Sequence, residues 1–267
     1  MIGFAKSFLK KYLPRKVLKK AVPLYAEIKY ALNGGEYKGA NVYCSCCDKS
    51  FGRFKTLDID PLNHNYDFFK YTRLDVICPY CGSWSRHRVL ADYLEKHINT
   101  MDSKMLIFAI PRAYITYFQR NKQKYLSADY YNRMADVKAD IQELPYRDNE
   151  FDFISCDHVL EHVPDDTKAL SELRRIVKPG GVVAISVPIM SCLKKTYEDG
   201  SVVSPEDRWR EFGQADHLRV YGMDFIDKLH AVGFNVEIID GFTLDERIVP
   251  TMAASEDDYN KLFICKK

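Results

Sequence analysis

Five of the eight cysteines fall in one short stretch: Cys44, Cys46, Cys47, Cys78 and Cys81. Cys44/Cys47 and Cys78/Cys81 are C-x-x-C pairs, and each such turn aims two sulfurs at one point. Four converging thiolates make a tetrahedral site whose usual occupant is Zn2+, so Cys44, Cys47, Cys78 and Cys81 are expected to hold a structural zinc. Cys46 is one sulfur too many and reads as a bystander. The 30 residues between the pairs exceed the roughly 15–20 of a ribbon, so Arg53–Asp75 should be a loop or an extra hairpin. A redox role would need a single C-x-x-C beside a thioredoxin-type unit, and that context is missing. Clustered cysteines also argue against a secreted disulfide framework. The first twenty residues lack an apolar signal core, and a reducing, cytoplasmic compartment is the expectation.

A second group of residues could do acid–base work. His158-x-x-Glu161-His162 matches the inverted zinc-protease pattern, but that motif needs a sustained helix and a third ligand. A strand ends just before it and Pro164 follows it, so the protease reading fails on context. His158 alone, just past the strand, stands where a general base would meet an acceptor; otherwise it caps or packs the following turn. A polar stretch over residues 196–222 is too long for an ordinary connection, and such loops are often lids or binding segments. Within it Glu198, Asp216, His217 and Arg219 are expected to line the pocket of a small, polyhydroxylated or charged acceptor, with His217 the alternative base. Adjacent strand residues point apart, so no Asp216–His217 dyad is inferred. A ligand-free surface excursion is the alternative. Arg86-His87-Arg88 reads as a solvated helix start, an RNA-contacting patch or an anion clamp.

These groups need a scaffold, and the apolar pattern from Trp84 onward supplies one. Val89, Leu90, Tyr93, Leu94 and Ile98 form one helical face, and strands are expected at 105–109, 125–128, 137–139, 151–156, 182–187, 236–239 and 262–265. Helices fall between them, one capped by Asp165 and stopped at Pro179-Gly180-Gly181, another ended by Gly233. Strand alternating with helix means a doubly wound, mostly parallel α/β sheet. Ligands of such sheets bind beyond the carboxyl ends of the strands, at the point where chain order reverses. Asp129, about twenty positions after the first strand, has the spacing of a carboxylate that accepts ribose hydroxyls. Asp140 could receive an adenine amino group, with Ile141 against the ring; alternatively both acids only cap strand ends. No glycine occurs between Gly82 and Gly180, so Ala109-Ile110-Pro111-Arg112 replaces the glycine-rich turn. A pyrophosphate-bearing dinucleotide is thereby disfavoured, and a ligand without phosphates remains.

Phe151-Asp152-Phe153-Ile154-Ser155-Cys156-Asp157-His158-Val159-Leu160-Glu161-His162-Val163-Pro164, followed by Leu173-Arg174-Arg175-Ile176-Val177-Lys178-Pro179-Gly180-Gly181, resembles class I S-adenosylmethionine-dependent methyltransferases. Residues 40–267 as a whole resemble a bacterial subfamily with an N-terminal cysteine-knuckle segment, a Cys-Pro-x-Cys-Gly-Ser…Arg-His-Arg helix start and a glycine-free first turn. The resemblance implies a Rossmann-like seven-stranded fold and S-adenosyl-L-methionine as cofactor. It would be held by Ala109, Pro111, Asp129, Asp140, Ile141, Cys156 and Asp157. His158 or His217 would be the base for a hydroxyl acceptor. The resemblance also suggests a sugar or surface-glycan intermediate as acceptor.

Chain organisation follows: a basic arm over 1–38, a zinc-knuckle segment over 39–83 and a methyltransferase domain over 84–267. In the arm, seven lysines and arginines precede the first acid, Glu27. Phe4, Phe8, Leu9, Tyr12 and Leu13 interleave with them. Residues 1–33 could lie on an anionic membrane or a glycan-synthesis partner, or pack on their own domain; Pro14 and Pro23 should break them into short helices. A net charge of +2, from 39 basic and 37 acidic side chains, gives no reason to expect a nucleic-acid partner. The rivals are an RNA methyltransferase reading RNA through its zinc segment, and a zinc-stabilised scaffold with a degenerate cofactor site.

Overall fold

Apolar residues that alternate between two faces build one seven-stranded sheet. The computed structural model describes residues 14–59, 72–98, 102–190, 192–250 and 260–267. The sheet comprises β5 (Met105–Phe108), β6 (Leu126–Asp129), β7 (Val137–Lys138), β8 (Phe151–Asp157), β9 (Val177–Ser186), β12 (Asn235–Asp240) and β13 (Lys261–Lys266), in the order β12-β13-β9-β8-β5-β6-β7. Neighbouring strands are parallel except at β13, which runs against both β9 and β12. From β5 the chain first winds outward through β6 and β7, then returns to β8 on the other side. The reversal therefore lies between the ends of β5 and β8, where a doubly wound sheet binds its ligand.

The two faces bury different partners. Ile107, Phe153, Ala184 and Ile264 pack with α2 (Ser85–His97), α3 (Arg112–Arg120) and the cysteine knuckles. Phe108, Ile154, Ile185 and Phe263 pack with α4 (Asp166–Ile176) and α6 (Phe225–Val232). The knuckles thus share a core with the catalytic-type sheet rather than standing apart. Asp165 caps α4 by accepting the Lys168 N–H at 2.8 Å, and Gly233, at φ +98°, closes α6 in the left-handed conformation that glycine tolerates best.

The knuckle segment holds two small antiparallel pairs, β1 (Val42–Cys44) with β2 (Lys49–Phe51) and β3 (Lys55–Ile59) with β4 (Thr72–Ile77). The expected insertion is thus a hairpin whose tip, 60–71, lies outside the described residues.

The arm departs from expectation. Lys6, Lys10, Lys11 and their aromatic neighbours lie outside the described residues, but α1 runs unbroken over Arg15–Asn33 with Pro23 inside it. Proline removes the N–H that should reach the carbonyl four residues back. That carbonyl, of Lys19, accepts instead from the Gln119 side chain of α3 at 2.9 Å. A tertiary contact has replaced the lost helical bond, so the helix does not break. Lys19 is itself buried, its ammonium on Ser127 Oγ at 2.9 Å and Asp136 at 2.8 Å. Residues 15–33 are packed on their own domain.

Candidate functional site

Both strands at the reversal point end in strain. Ala109 after β5 has φ +47° and His158 after β8 has φ +51°, two of only five non-glycine residues with positive φ among those described. The left-handed region costs an L-residue about 1–2 kcal/mol, and such strain concentrates where backbone shape serves a ligand. At Ala109 the turn keeps the conformation a glycine would supply and adds one methyl group. The absent glycines have therefore not removed the turn.

Beside that turn lies a cleft of about 320 Å3, walled by Tyr25 of α1, by Tyr80 and Trp84 of the second knuckle, and by His87, Pro111 and Arg112. At the end of β6, Asp129 uses Oδ1 to accept the N–H groups of Tyr131 and Asn132, at 2.7 and 2.6 Å. Its Oδ2 has no hydrogen bond among the described residues. Asp140 turns back onto Gln142, accepting its backbone N–H at 2.9 Å and its amide at 3.1 Å. Ile141 is already packed in the core.

Two of the expected cofactor contacts are corrected. The side chain of Cys156 is fully buried in the core beneath the sheet and faces no cleft. Asp157 is saturated: it accepts from Ser186 Oγ and from Tyr114 at 3.4 Å, with His87 Nε2 at 3.2 Å and Arg86 Nε at 3.4 Å. Burial alone would raise its carboxyl pKa, but the Arg86 guanidinium and the His87 hydrogen bond hold it well below the usual range. His87 accepts the Trp84 N–H at Nδ1, 2.9 Å away, capping α2. Burial pushes His87 down to about 4 against the pull of Asp157, so it is the neutral Nε2–H tautomer. Arg88 is wholly buried and donates to the carbonyls of Ile248 (2.7 Å), Val76 (2.8 Å) and Ser83 (3.2 Å). His87 and Arg88 are therefore internal braces and not part of a solvated helix start, and Arg86 is part-buried beside Asp157.

The acid–base groups follow the end of β8. Leu160–His162 is a single 3-10 turn, not the sustained helix a zinc protease needs. His158 Nδ1 lies 3.0 Å from Glu161 Oε1. Burial pushes the Glu161 carboxyl up, and the facing imidazoles, His158 foremost, outweigh it and hold it below the usual range. His217 is buried and its Nδ1 lies 3.1 Å from the carbonyl of Phe212. Desolvation lowers its pKa to about 4 although Glu161 opposes the shift. Asp216 is exposed beside His162, with Nδ1 of the latter 3.4 Å from the carboxylate.

Arg219 and Glu198 have a different task from acceptor contact. Arg219 is buried and spends every N–H: on the carbonyls of Leu160 (2.9 Å), Val163 (2.6 Å) and Pro164 (3.0 Å), and on both oxygens of Glu198 (3.0 and 2.9 Å). No donor is left for a ligand. The pair β10 (Tyr197–Glu198) and β11 (Arg219–Val220) places these two residues opposite each other. Between them runs α5 (Pro205–Phe212), capped by Ser204, which accepts the Asp207 N–H at 3.0 Å, and ended by Gly213 at φ +82°. Sequence reasoning missed α5, although Ser204-Pro205-Glu206-Asp207 is a helix-start pattern and Gly213 a stop.

The four expected zinc ligands converge. One sulfur each of Cys44, Cys47, Cys78 and Cys81 lies within 4.8 Å of the others, and the Cys44–Cys81 and Cys47–Cys78 pairs are both 3.7 Å apart. Zinc–sulfur bonds of about 2.3 Å set tetrahedral edges of about 3.8 Å, so the separation suits that ion. Cys46 points elsewhere, toward the carbonyl of His87 at 3.3 Å.

Residues 87–185 match the family described as a methyltransferase domain. A demethylmenaquinone methyltransferase of Staphylococcus haemolyticus is 37% identical over 70 residues, 25% of this chain and 29% of that protein. One from Staphylococcus aureus is 41% identical over 64 residues, 23% of this chain and 27% of that protein. The chain thus matches under a third of the length of these relatives. Among solved structures, an S-adenosylmethionine-dependent methyltransferase from Mesorhizobium loti superposes with TM-score 0.49 at 15% identity, over 66% of this chain and 96% of that one.

Proposed function

Residues 87–185 form a methyltransferase domain of the class I type, and from that premise we propose that the chain transfers a methyl group from S-adenosylmethionine to a small-molecule oxygen acceptor. The observation that carries the reading is the uncommitted Oδ2 of Asp129 at the end of β6, beside a first turn that keeps a glycine-like backbone at Ala109. Asp129 would hold the ribose hydroxyls, and Arg112 in the cleft would meet the amino-acid carboxylate. The sulfonium supplies an activated methyl group when the cofactor is bound. The protein's own part is to align the acceptor, exclude water and take its proton. His158, held against Glu161 through Nδ1 and with Nε2 unpartnered, is the base that geometry favours; His217 is turned to Phe212. A sugar or glycan intermediate is the acceptor class we favour, on the polar loop that carries Asp216 and His217.

Titration calorimetry with S-adenosylhomocysteine tests this. Asp129→Ala should weaken binding about 10- to 100-fold, the worth of one charge-assisted hydrogen bond. Absence of binding to the unsubstituted chain would instead support the degenerate scaffold.

We further propose that Cys44, Cys47, Cys78 and Cys81 hold a structural zinc, and that the arm touches an anionic membrane surface. Val17, Leu24, Ile28 and Leu32 line an exposed apolar stripe along α1, beside Lys16, Lys20 and Lys29. Among the described residues no helix is long and apolar enough to cross a membrane. Flotation with phosphatidylserine vesicles should carry the full chain and leave behind one in which the exposed Lys16 and Lys20 are changed to Glu and that still binds S-adenosylhomocysteine. Equal flotation of both would dismiss the arm.

A further inference from the structure

Three buried polar atoms of this cluster have no hydrogen-bond partner: both carboxylate oxygens of Glu161 and Nε2 of His217. Glu161 is wholly buried. An orphaned buried carboxylate costs several kcal/mol unless a cation or donors meet it. His158 stands at ion-pair distance from Oε1 but off the direction of a hydrogen bond, so Oε2 in particular has no partner. One donor atom each from Glu161, His162 and His217 lies within 4.8 Å of the other two.

We infer that Glu161, His162 and His217 form a second divalent-metal site, separate from the cysteine cluster. Its donors are two imidazole nitrogens and one carboxylate oxygen, a set that takes zinc, manganese, iron(II) or cobalt(II) and leaves coordination positions open. The supporting contacts are those a metal-bound imidazole requires. The other ring nitrogen of such a histidine donates to a carbonyl or carboxylate, which fixes the tautomer. His217 Nδ1 is 3.1 Å from the Phe212 carbonyl, and His162 Nδ1 is 3.3 Å from the Asp216 carbonyl and 3.4 Å from its carboxylate. Each Nε2 is thereby left with its lone pair. Arg219 holds the Leu160–Pro164 turn by its carbonyls, and the Leu218 N–H donates to the Glu161 carbonyl at 2.9 Å, so the two ligand-bearing segments are locked together.

The His162 side chain is 31% exposed, so the site opens to solvent on that side. On the methyltransfer reading, an acceptor with a hydroxyl and a neighbouring oxygen would chelate the ion. The ion would ease loss of the hydroxyl proton to His158, and the alkoxide oxygen would then attack the methyl carbon, forming the O–CH3 bond as the C–S bond of the sulfonium breaks and S-adenosylhomocysteine leaves.

The test is a Mn(II) titration followed by electron paramagnetic resonance, because thiolates hold this ion poorly and the cysteine cluster stays silent. The purified full chain should bind one Mn(II). His162→Gln, at the open rim where folding is least at risk, and Glu161→Gln and His217→Asn should each weaken it at least tenfold, by the general cost of losing a ligand. Zinc analysis after reconstitution should give two ions for the unsubstituted chain and one for His162→Gln. No Mn(II) bound together with a single zinc would overturn the site, as would unchanged Mn(II) binding in His162→Gln. S-adenosylhomocysteine binding measured on the same samples separates the two ideas. Metal bound without that ligand keeps the site and removes the methyltransfer reading; that ligand bound without metal does the reverse.

Discussion

Replacing Arg219 by methionine separates a bracing role from acceptor contact. Methionine keeps the length of the stem and removes five N–H donors. The carbonyls of Leu160 and Val163 lose buried or half-buried partners at 2.9 and 2.6 Å, and a buried acceptor left unmade costs about 1–3 kcal/mol. Leu160 keeps a weak second donor, the Val163 N–H at 3.4 Å, which places it at the low end. Glu198 is half exposed and returns to water, so its pair contributes about 1 kcal/mol or less. Asp166 retains Lys228 at 2.7 Å and Tyr221 at 2.9 Å. The total is about 3 kcal/mol, or a fall in Tm of roughly 6–12 °C for a domain of this size. Urea unfolding at constant m-value reads it directly. Arg219→Lys should recover only part, because a point charge cannot reach three carbonyls and a carboxylate in one plane. An unchanged unfolding midpoint with a raised acceptor KM would refute the bracing argument and return Arg219 to the acceptor pocket.

Acid should destabilise the fold through His87. Its folded pKa, about 4, lies below the ordinary 6.5, so the unfolded chain binds the proton first; stability is whole above pH 6.5 and is lost as pH falls toward 4. The loss at pH 5 is about 2 kcal/mol, and His87→Asn should flatten that part of the urea-midpoint profile; a profile already flat between pH 7.5 and 5 would contradict the neutral, buried assignment. Cys78→Ser should lower the zinc content of the cysteine cluster by one ion per chain and cost several kcal/mol of stability, since metal binding there is folding energy. Retention of that zinc would remove Cys78 from the ligand set.

The sheet was legible because its signal is local and redundant. Met105–Phe108, Phe151–Cys156 and Val182–Val187 are apolar runs covered on both faces, which is how parallel strands read. Boundaries moved by a residue or two, and β9 began early, at Val177, because the chain bulges past β8 before resuming its ladder at Val182. The convergence of the two C-x-x-C pairs was equally plain. What periodicity could not show was tertiary compensation. Gln119 rescues the carbonyl freed by Pro23, a contact across 100 positions of sequence. The Arg86-His87-Arg88 run misled for the same reason: it offered a solvated helix start, yet Arg88 is buried on backbone carbonyls and Arg86, part-buried, lies 3.4 Å from the Asp157 carboxylate. The site was half legible. Asp129 and His158 stand at the strand ends their spacing implied, whereas Cys156 points away from the cleft and Asp157 is spent on Arg86, His87, Tyr114 and Ser186.

Arg88 bears on the cysteine cluster in a way spacing does not. Its guanidinium is wholly buried, stacked 3.9 Å from the centroid of Phe54, and its hydrogen bonds go to neutral carbonyls and the Ser85 hydroxyl. Among the described residues no carboxylate lies within ion-pair distance of it. The groups that favour its charge against burial are Cys44, Cys78, Cys46 and Cys81. A buried cation needs an anion nearby, and neutral thiols are not anions. Four thiolates around one divalent ion carry a net charge of −2, which would offset the guanidinium and be offset by it in return. Bare thiolates packed 3.7 Å apart would repel one another, and a disulfide would leave Arg88 uncompensated. A metal-bound cluster, as proposed above, would meet both requirements. Arg88→Met should therefore weaken zinc retention against a chelator while Arg88→Lys restores part of it, a result a purely mechanical brace would not give.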